Sequence, residues 1–312
     1  MGAVLGSFRM TRGKTTIAHK AAPSPLRPKH TADEAIAAIL DNCLDQVFAN
    51  RDAAEGADNV EGVHQMRVGL RRLRAAIQFL EHEIPSSRLE RFDRKAEQLA
   101  DTLAPVRNID ALLEQIDEAE KAGGKLGALR QAVASRRKQA NALLKNQLRE
   151  PKTTIALHEI GQWIARHGWR DDKAKPLDEP ARKLAEDALD RLERKARKRG
   201  KGFNKATPRE RHKFRIALKK LRYAAKLFAP LYDERKAERY QKRLAKLLDG
   251  LGADHDNVML PSTLHQIGST ARKPAARRAV KALLSARRSG QPALRKQLRK
   301  RRRQWKKAAA FW

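Results

Sequence analysis

Apolar residues recur at intervals of three and four along most of the chain, the spacing that gathers side chains on one face of an α-helix. The first such stretch opens at Thr31-Ala-Asp-Glu34. This is a capping box, in which the threonine hydroxyl holds the backbone N–H three residues on and the glutamate reaches back to the threonine N–H. It predicts a helix to about Asn50. Further helical patterns cover about 61–83, 87–103, 109–121, 125–149 and 153–167, then 181–199, 207–229, 233–250, 255–268, 272–288 and 292–307. Gly123-Gly124 and Gly250-Leu-Gly252 read as helix ends. β-branched residues never cluster and aromatics make up 5% of the chain, so the fold class is all-α. Residues 1–30, with Pro23, Pro25 and Pro28 close together, read as a basic, flexible or extended arm. Residues 169–180 are a linker by composition, which leaves helical units at 31–168 and 181–312.

The two units repeat each other. VHQMRVGLRRLRAAIQFL at 63–80 aligns without gaps to RHKFRIALKKLRYAAKLF at 211–228, a shift of 148 residues from His64 to His212. The same shift carries Leu99 to Leu247, Asp101 to Asp249, Leu103 to Leu251, Lys125 to Lys273 and Arg130 to Arg278. A register held over such a length predicts an internal duplication of a helical unit of about 120–130 residues.

Charge sharpens the picture. The chain of 312 residues carries 69 lysines and arginines against 36 acids, a net charge of +33, and the acids are unevenly placed. None occurs from Gly62 to Leu80, from Arg211 to Tyr232, or from Asn257 to Trp312, and the last stretch ends in a very basic helix. Exposed helices usually mix signs because i,i+4 pairs add stability and like charges cost it. Three windows without acids therefore point to a polyanionic partner, with a merely solvated basic face as the bland alternative.

The repeated helix arranges its cations in a row. At 100° per residue His64, Arg67, Arg71 and Arg74 fall within about 80° of arc, while Met66, Leu70, Leu73, Ile77 and Leu80 form a separate apolar stripe. In the second copy His212, Arg215, Lys219 and Arg222 take the same edge, extended by Lys226, with Phe214, Leu218, Leu221 and Phe228 as the stripe. Such a row climbs about 15 Å of helix, and its guanidinium groups can each grip a phosphate through paired hydrogen bonds. Arg72 and Lys220 point off the row and are secondary candidates. A histidine among such cations titrates below its ordinary value, and a bound phosphate raises it again. The alternative for His64 and His212 is a helix-boundary histidine bonded to a backbone carbonyl.

Other chemistries have little in the sequence. There is no HExxH, no Cys/His cluster, no phosphate-binding GxxxxGK[ST] loop and no GxSxG elbow, so neither a metal, a cofactor nor a catalytic centre is expected. Asp254-His255-Asp256 reads as helix capping. The lone Cys43 excludes an intramolecular disulfide framework and lies in an apolar helical pattern. No run approaches about 18 apolar residues, and Met1 to Lys20 holds no apolar core of a secretory signal, which predicts a soluble, cytoplasmic protein without membrane insertion. Nonspecific RNA or DNA binding is the main rival to another polyanion, since phosphate contacts dominate both. Single-strand binders add aromatic platforms, however, and Trp163, Trp169, Trp305 and Trp312 do not interleave with either row. A membrane-surface role for the basic tail with Trp305, Phe311 and Trp312 rests on a thin apolar face.

The segments HQMRVGLRRLR from His64 to Arg74 and HKFRIALKKLRY from His212 to Tyr223 resemble the CHAD family, the conserved-histidine α-helical domain. LADTLAPVRNID at 99–110 and LLDGLGADHDNV at 247–258 resemble the family's second, helix-turn pattern, and the resemblance covers about residues 31–307. It implies two bundles of about four main helices each, related by a pseudo-twofold axis, with a basic groove between them. It also implies binding of inorganic polyphosphate and association with polyphosphate granules, without catalysis. Carried over by position, the ligands are His64, Arg67, Arg71, Arg74, His212, Arg215, Lys219 and Arg222. Arg130, Arg278 and Arg107 join Arg72, Lys220 and Lys226 as further candidates. The chain departs from the family where an Arg-Asp pair is usual: it has Arg107-Asn108 in one copy and His255-Asp256 in the other. Asn108 and Asp256 are expected to cap the helices that follow. The CYTH domain that often precedes the family has no counterpart here.

Overall fold

Thr31 caps the first helix as its sequence predicts. The Glu34 N–H donates to the Thr31 hydroxyl at 3.3 Å and the Thr31 N–H donates to the Glu34 carboxylate at 2.9 Å. In the computed structural model, which describes residues 17–56, 59–84, 87–121, 126–170, 177–268 and 274–312, this helix is α1 (Ala32–Ala49). A short α2 (Arg51–Glu55) follows, then α3 (Val60–Glu83), α4 (Ser87–Lys121), α5 (Gly127–Arg149) and α6 (Pro151–Ala165). After the connection come α7 (Ala181–Arg199), α8 (Pro208–Phe228), α9 (Glu234–Gly268) and α10 (Pro274–Lys306). No strand occurs among the described residues; a single isolated bridge joins Thr31 to Pro180.

Shifted by the 148 residues between His64 and His212, the starts of α1, α3, α4 and α5 fall at 180, 208, 235 and 275. The starts of α7, α8, α9 and α10 are Ala181, Pro208, Glu234 and Pro274. Even the caps correspond: Asn59 accepts from the Gly62 N–H ahead of α3, and Thr207, at the equivalent position, accepts from the Glu210 N–H ahead of α8.

Three helices run through points where the sequence predicts breaks. α4 passes Pro105, α9 passes Gly250-Leu-Gly252, and α10 passes Pro292. An interior proline removes one i→i−4 hydrogen bond, but Pro105 faces solvent while Leu103 and Val106 beside it are buried, so packing outweighs the local cost. Gly250 serves close approach rather than termination. A Cβ there would sit 2.8 Å from Leu298 Cδ2 and 3.1 Å from Arg301 Nη1, so glycine is what lets α10 lie against α9. Asn108 and Asp256 consequently lie inside α4 and α9 and cap nothing.

The segments flanking α1 are packed in part. Residues 17–30 have no helix, yet Leu26 is buried, and the Asn50 side chain exchanges two 2.8 Å hydrogen bonds with the His19 backbone. Trp169 is fully buried and donates its indole N–H to Asp33, which also accepts from both Arg170 nitrogens and pairs with His167. Burial alone would raise the Asp33 pKa, but the hydrogen bonds from Arg170, Trp169 and His167 outweigh it and hold the carboxyl below its ordinary value. The start of α1 is thus clasped by the connection between α6 and α7.

The two apolar stripes meet in one core. Met66, Leu70, Leu73, Ile77 and Leu80 of α3 and Phe214, Leu218, Leu221 and Phe228 of α8 are all buried. The Phe79 and Phe228 rings meet edge to face at 5.2 Å and tie the two helices together. α3 also packs on α1 and α4, and α8 on α7 and α9. Burying these stripes fixes which edges of α3 and α8 remain for the cations.

Candidate functional site

With their apolar faces committed to the core, α3 and α8 bring parts of their basic rows within reach of each other. Arg67 and Arg71 of α3 and Arg215 and Lys219 of α8 are all half-buried. Burial depresses the Lys219 ammonium most, and Arg215, Arg71 and Arg67 add to it, so its pKa is pushed down to about 8. Burial likewise lowers Arg67, helped by Arg71 and Arg107, and lowers Arg215, helped by Arg71. Groups from both helices therefore share one electrostatic neighbourhood.

Two details describe the electrostatic state of this cluster. The Nε–H groups of Arg71 and Arg215 are buried and have no hydrogen-bond partner in the protein. A buried donor without an acceptor costs about 1–3 kcal/mol, so it is rare unless the position serves something else. The acids nearby are few: Asp256 offsets Arg215 and Lys219, and Asp101 offsets Arg67.

Histidines flank the cluster in both copies. His64 is lowered by burial and then by Arg107 and Arg71, with Glu61 and Glu114 opposing. His212 is lowered by burial, Arg215 and Lys219. Its Nδ1 lies 3.3 Å from Nδ1 of His255, with ring centroids 4.6 Å apart, and His255 is lowered by burial, Arg215 and His212. Among the described residues neither His64 nor His212 has the backbone carbonyl partner of a boundary histidine; the His212 ring meets His255 instead.

The α8–α9 contact that sets this geometry rests on a buried ion pair. The Arg211 Nε donates to Asp254 Oδ2 at 2.7 Å, and its Nη1 donates to the Ala206 carbonyl at 2.7 Å. Arg211 precedes His212 and Asp254 precedes His255, so the pair keeps the two imidazoles together, tilted by 35°. The equivalent residues of the first copy are Val63 and Val106, both buried.

The remaining sequence-predicted residues are not in the cluster. Arg74 is held by Asp93 at 2.9 Å and Glu97 at 2.7 Å, ties α3 to α4, and is raised because those carboxylates outweigh burial. Its counterpart Arg222 is exposed beside Lys226, since α9 carries Gln241 and Ala245 where α4 has those acids. Arg72 is buried and donates to Gln46 and Asn42 of α1, each at 2.6 Å. Lys220 is lowered by burial and faces Lys195, Asp93, Glu81 and Arg74. Arg107 pairs with Glu114 at 2.9 Å while acting on His64 and Arg67, and Arg130 pairs with Asp117 at 3.0 Å. The Arg278 side chain lies outside the described residues. Sequence reasoning did not single out Tyr223, which stands within electrostatic reach of both Arg67 and Arg215. Its first-copy equivalent is Ala75, so the repeat gave no signal for it.

Among the described residues, no group of three or more His, Cys, Asp or Glu could hold a metal ion. No described helix is long and apolar enough to cross a membrane.

The CHAD-domain family model matches residues 38–265, from within α1 to within α9. The chain belongs to the CHAD family. The CHAD match contains all of α3 and α8 and stops before α10. Among solved structures, the chain is similar to the crystal structure of the CHAD domain from the plant Ricinus communis, with a TM-score of 0.73 and 26% identity. That likeness covers 91% of this chain and 96% of the plant chain. PptA from Streptomyces chartreusis is alike in fold alone, at a TM-score of 0.59 and 18% identity, over 88% of this chain and 100% of its own. No curated protein matches the sequence.

Proposed function

We propose that this CHAD protein binds inorganic polyphosphate, without catalysis, in a basic groove between the α3 and α8 rows. In this reading 31–168 and 181–312 are two bundles related by a pseudo-twofold axis, and the groove lies between them. The observation that carries it is the set of half-buried cations from both helices, Arg67, Arg71, Arg215 and Lys219, with the Arg71 and Arg215 Nε donors lacking protein acceptors. A chain bearing one ionised oxygen pair per repeat supplies acceptors to successive guanidinium groups and relieves the repulsion among them. His64, His212 and His255 flank the path as neutral donors or conditional cations. Binding of this kind would carry the protein to polyphosphate granules in the cytoplasm.

Competition between polyphosphate and length-matched DNA and RNA at about 150 mM salt, where the screening length is about 8 Å, tests the reading. Polyphosphate is expected to win by at least about 100-fold, or about 2.7 kcal/mol. A shaped groove admits a bare phosphate chain and resists one carrying bases, and Trp163, Trp169 and Trp305 are buried in the core and offer no stacking platform there. Even competition would instead mean that the +33 charge binds any polyanion and would overturn the assignment.

The same reading predicts a pH dependence. The three histidines are held below their ordinary value in the free protein, and a bound phosphate raises them, so binding takes up protons. Lys219, at about 8, gains its proton over a higher range with the same sign. Affinity for long-chain polyphosphate should therefore rise steadily as pH falls from about 9 to 6. Titration calorimetry in buffers of different ionisation enthalpy will show net proton uptake, and a flat profile would remove the histidines and Lys219 from the site.

A further inference from the structure

A second basic cleft, sharing no residue with the groove, lies where the start of α4 meets the end of α6. It encloses about 370 Å³, within the range of about 300–1,000 Å³ usual for small-molecule sites. Its walls bring Arg88 and Arg91 of α4 together with Arg166, His167 and Arg170 from the turn after α6, against one acid, Glu159. Glu159 is already bound to Lys95, which holds its carboxyl below the ordinary value. Arg170 and His167 are occupied with Asp33.

The floor differs from that of a plain anion site. Phe92 and Trp163 line it and stack at 4.5 Å with 21° between their planes, and the exposed Arg91 guanidinium lies over the Phe92 ring at 5.8 Å. A guanidinium, a phenyl ring and an indole thus adjoin at the cleft, and a guanidinium plane stacks readily on a nucleic-acid base. Trp163 is 6% exposed and its indole N–H is buried without a hydrogen-bond partner. It lies under Gly168, where a Cβ would be 2.5 Å from Nε1, so the wall over that donor is bare backbone. His167, just before, holds a left-handed φ of 49°, a conformation uncommon outside glycine. A strained turn and a mixed basic and aromatic lining coincide at one cavity.

We propose that this cleft binds a nucleoside di- or triphosphate, with its base stacked on the exposed Arg91 guanidinium and its phosphates on Arg88 and Arg166.

The test is titration of the full chain with ATP, adenosine and inorganic tripolyphosphate, read by tryptophan fluorescence and calorimetry. In the Arg71→Glu, Lys219→Glu variant, where the groove no longer competes for either ligand, ATP is expected to bind one site more tightly than tripolyphosphate, because only ATP has a ring to stack. Arg91→Ala with Arg166→Ala should weaken ATP at least about tenfold, as loss of one charge-assisted contact would. Arg71→Glu with Lys219→Glu, in the groove, should leave ATP binding intact, so failure here and failure of the polyphosphate reading are separable. Equal binding of ATP and tripolyphosphate in the groove variant, or ATP binding lost with the groove pair and kept with the cleft pair, would overturn the proposal.

Discussion

Replacing Arg71 and Lys219 together by glutamate will weaken polyphosphate binding at least about 100-fold at about 150 mM salt, or about 2.7 kcal/mol. The two residues come from different helices and different repeats, yet Arg71 is among the groups that depress Lys219. In the proposed groove each would supply a charge-assisted hydrogen bond of about 1.5–3 kcal/mol, and each glutamate would add repulsion toward phosphate. The protein itself should tolerate the change, because the new carboxylates would stand beside Arg67 and Arg215 and neutralise part of a crowded positive cluster. The control is Lys296→Glu with Lys300→Glu, two exposed residues of α10 that alter net charge equally. Arg301 and Arg302 are unsuitable for it: Arg301 donates to the Lys246 carbonyl at 2.8 Å, and Arg302 lies over the Phe203 ring at 5.8 Å. The α10 pair should cost less than about tenfold, most of it restored at lower salt. Equal losses from both pairs would mean that diffuse charge binds the polymer and that the α3–α8 cluster is no site.

The largest effect on stability is expected at Arg211 and Asp254. Asp254→Ala leaves a guanidinium that is 8% exposed without its carboxylate, and breaking a buried pair from one side costs about 3–5 kcal/mol. Arg211→Val with Asp254→Val should behave differently, because it copies Val63 and Val106 of the first repeat and leaves no buried charge. Replacing a buried pair by packed apolar residues is often neutral or stabilising. Urea unfolding will separate the cases: the single variant should lose most of those kilocalories, and the double variant should stay within about 1–2 kcal/mol of the parent. A double variant as unstable as the single one would mean that the bond from Arg211 to the Ala206 carbonyl, not the ion pair, secures the start of α8.

Much of the architecture is legible from periodicity, because an apolar stripe must be buried and its position on the helix leaves little choice about what faces outward. The stripes of α3 and α8 and the shared position of their cations follow from that rule, and the Thr31 capping box from local hydrogen bonding. The helix ends at Pro105, Gly250 and Pro292 do not, because local breaker signals compete with packing that only the partner helix supplies. The same limit applies to the rows. A helical wheel gives Arg74 its direction but cannot show Asp93 and Glu97 on the neighbouring helix, nor Gln46 and Asn42 waiting for Arg72. Arg67, Arg71, Arg215 and Lys219 meet because the two stripes share one core, a contact between residues far apart in the chain. Tyr223 was out of reach because its repeat partner is an alanine.

A repeated chain is its own mutant series, and here the two copies answer one question in opposite ways. The first fastens its basic helix to the next through Arg74, Asp93 and Glu97, at a rim where Glu97 is 47% exposed, over an interior of two valines. The second leaves Arg222 unengaged by such acids and puts the bond inside, between Arg211 and Asp254. Mobile ions reach the Glu97 arm of the first fastening far more readily than the second. One polypeptide thus carries its reinforcement at two depths, and dissolved salt loosens the outer one more than the inner.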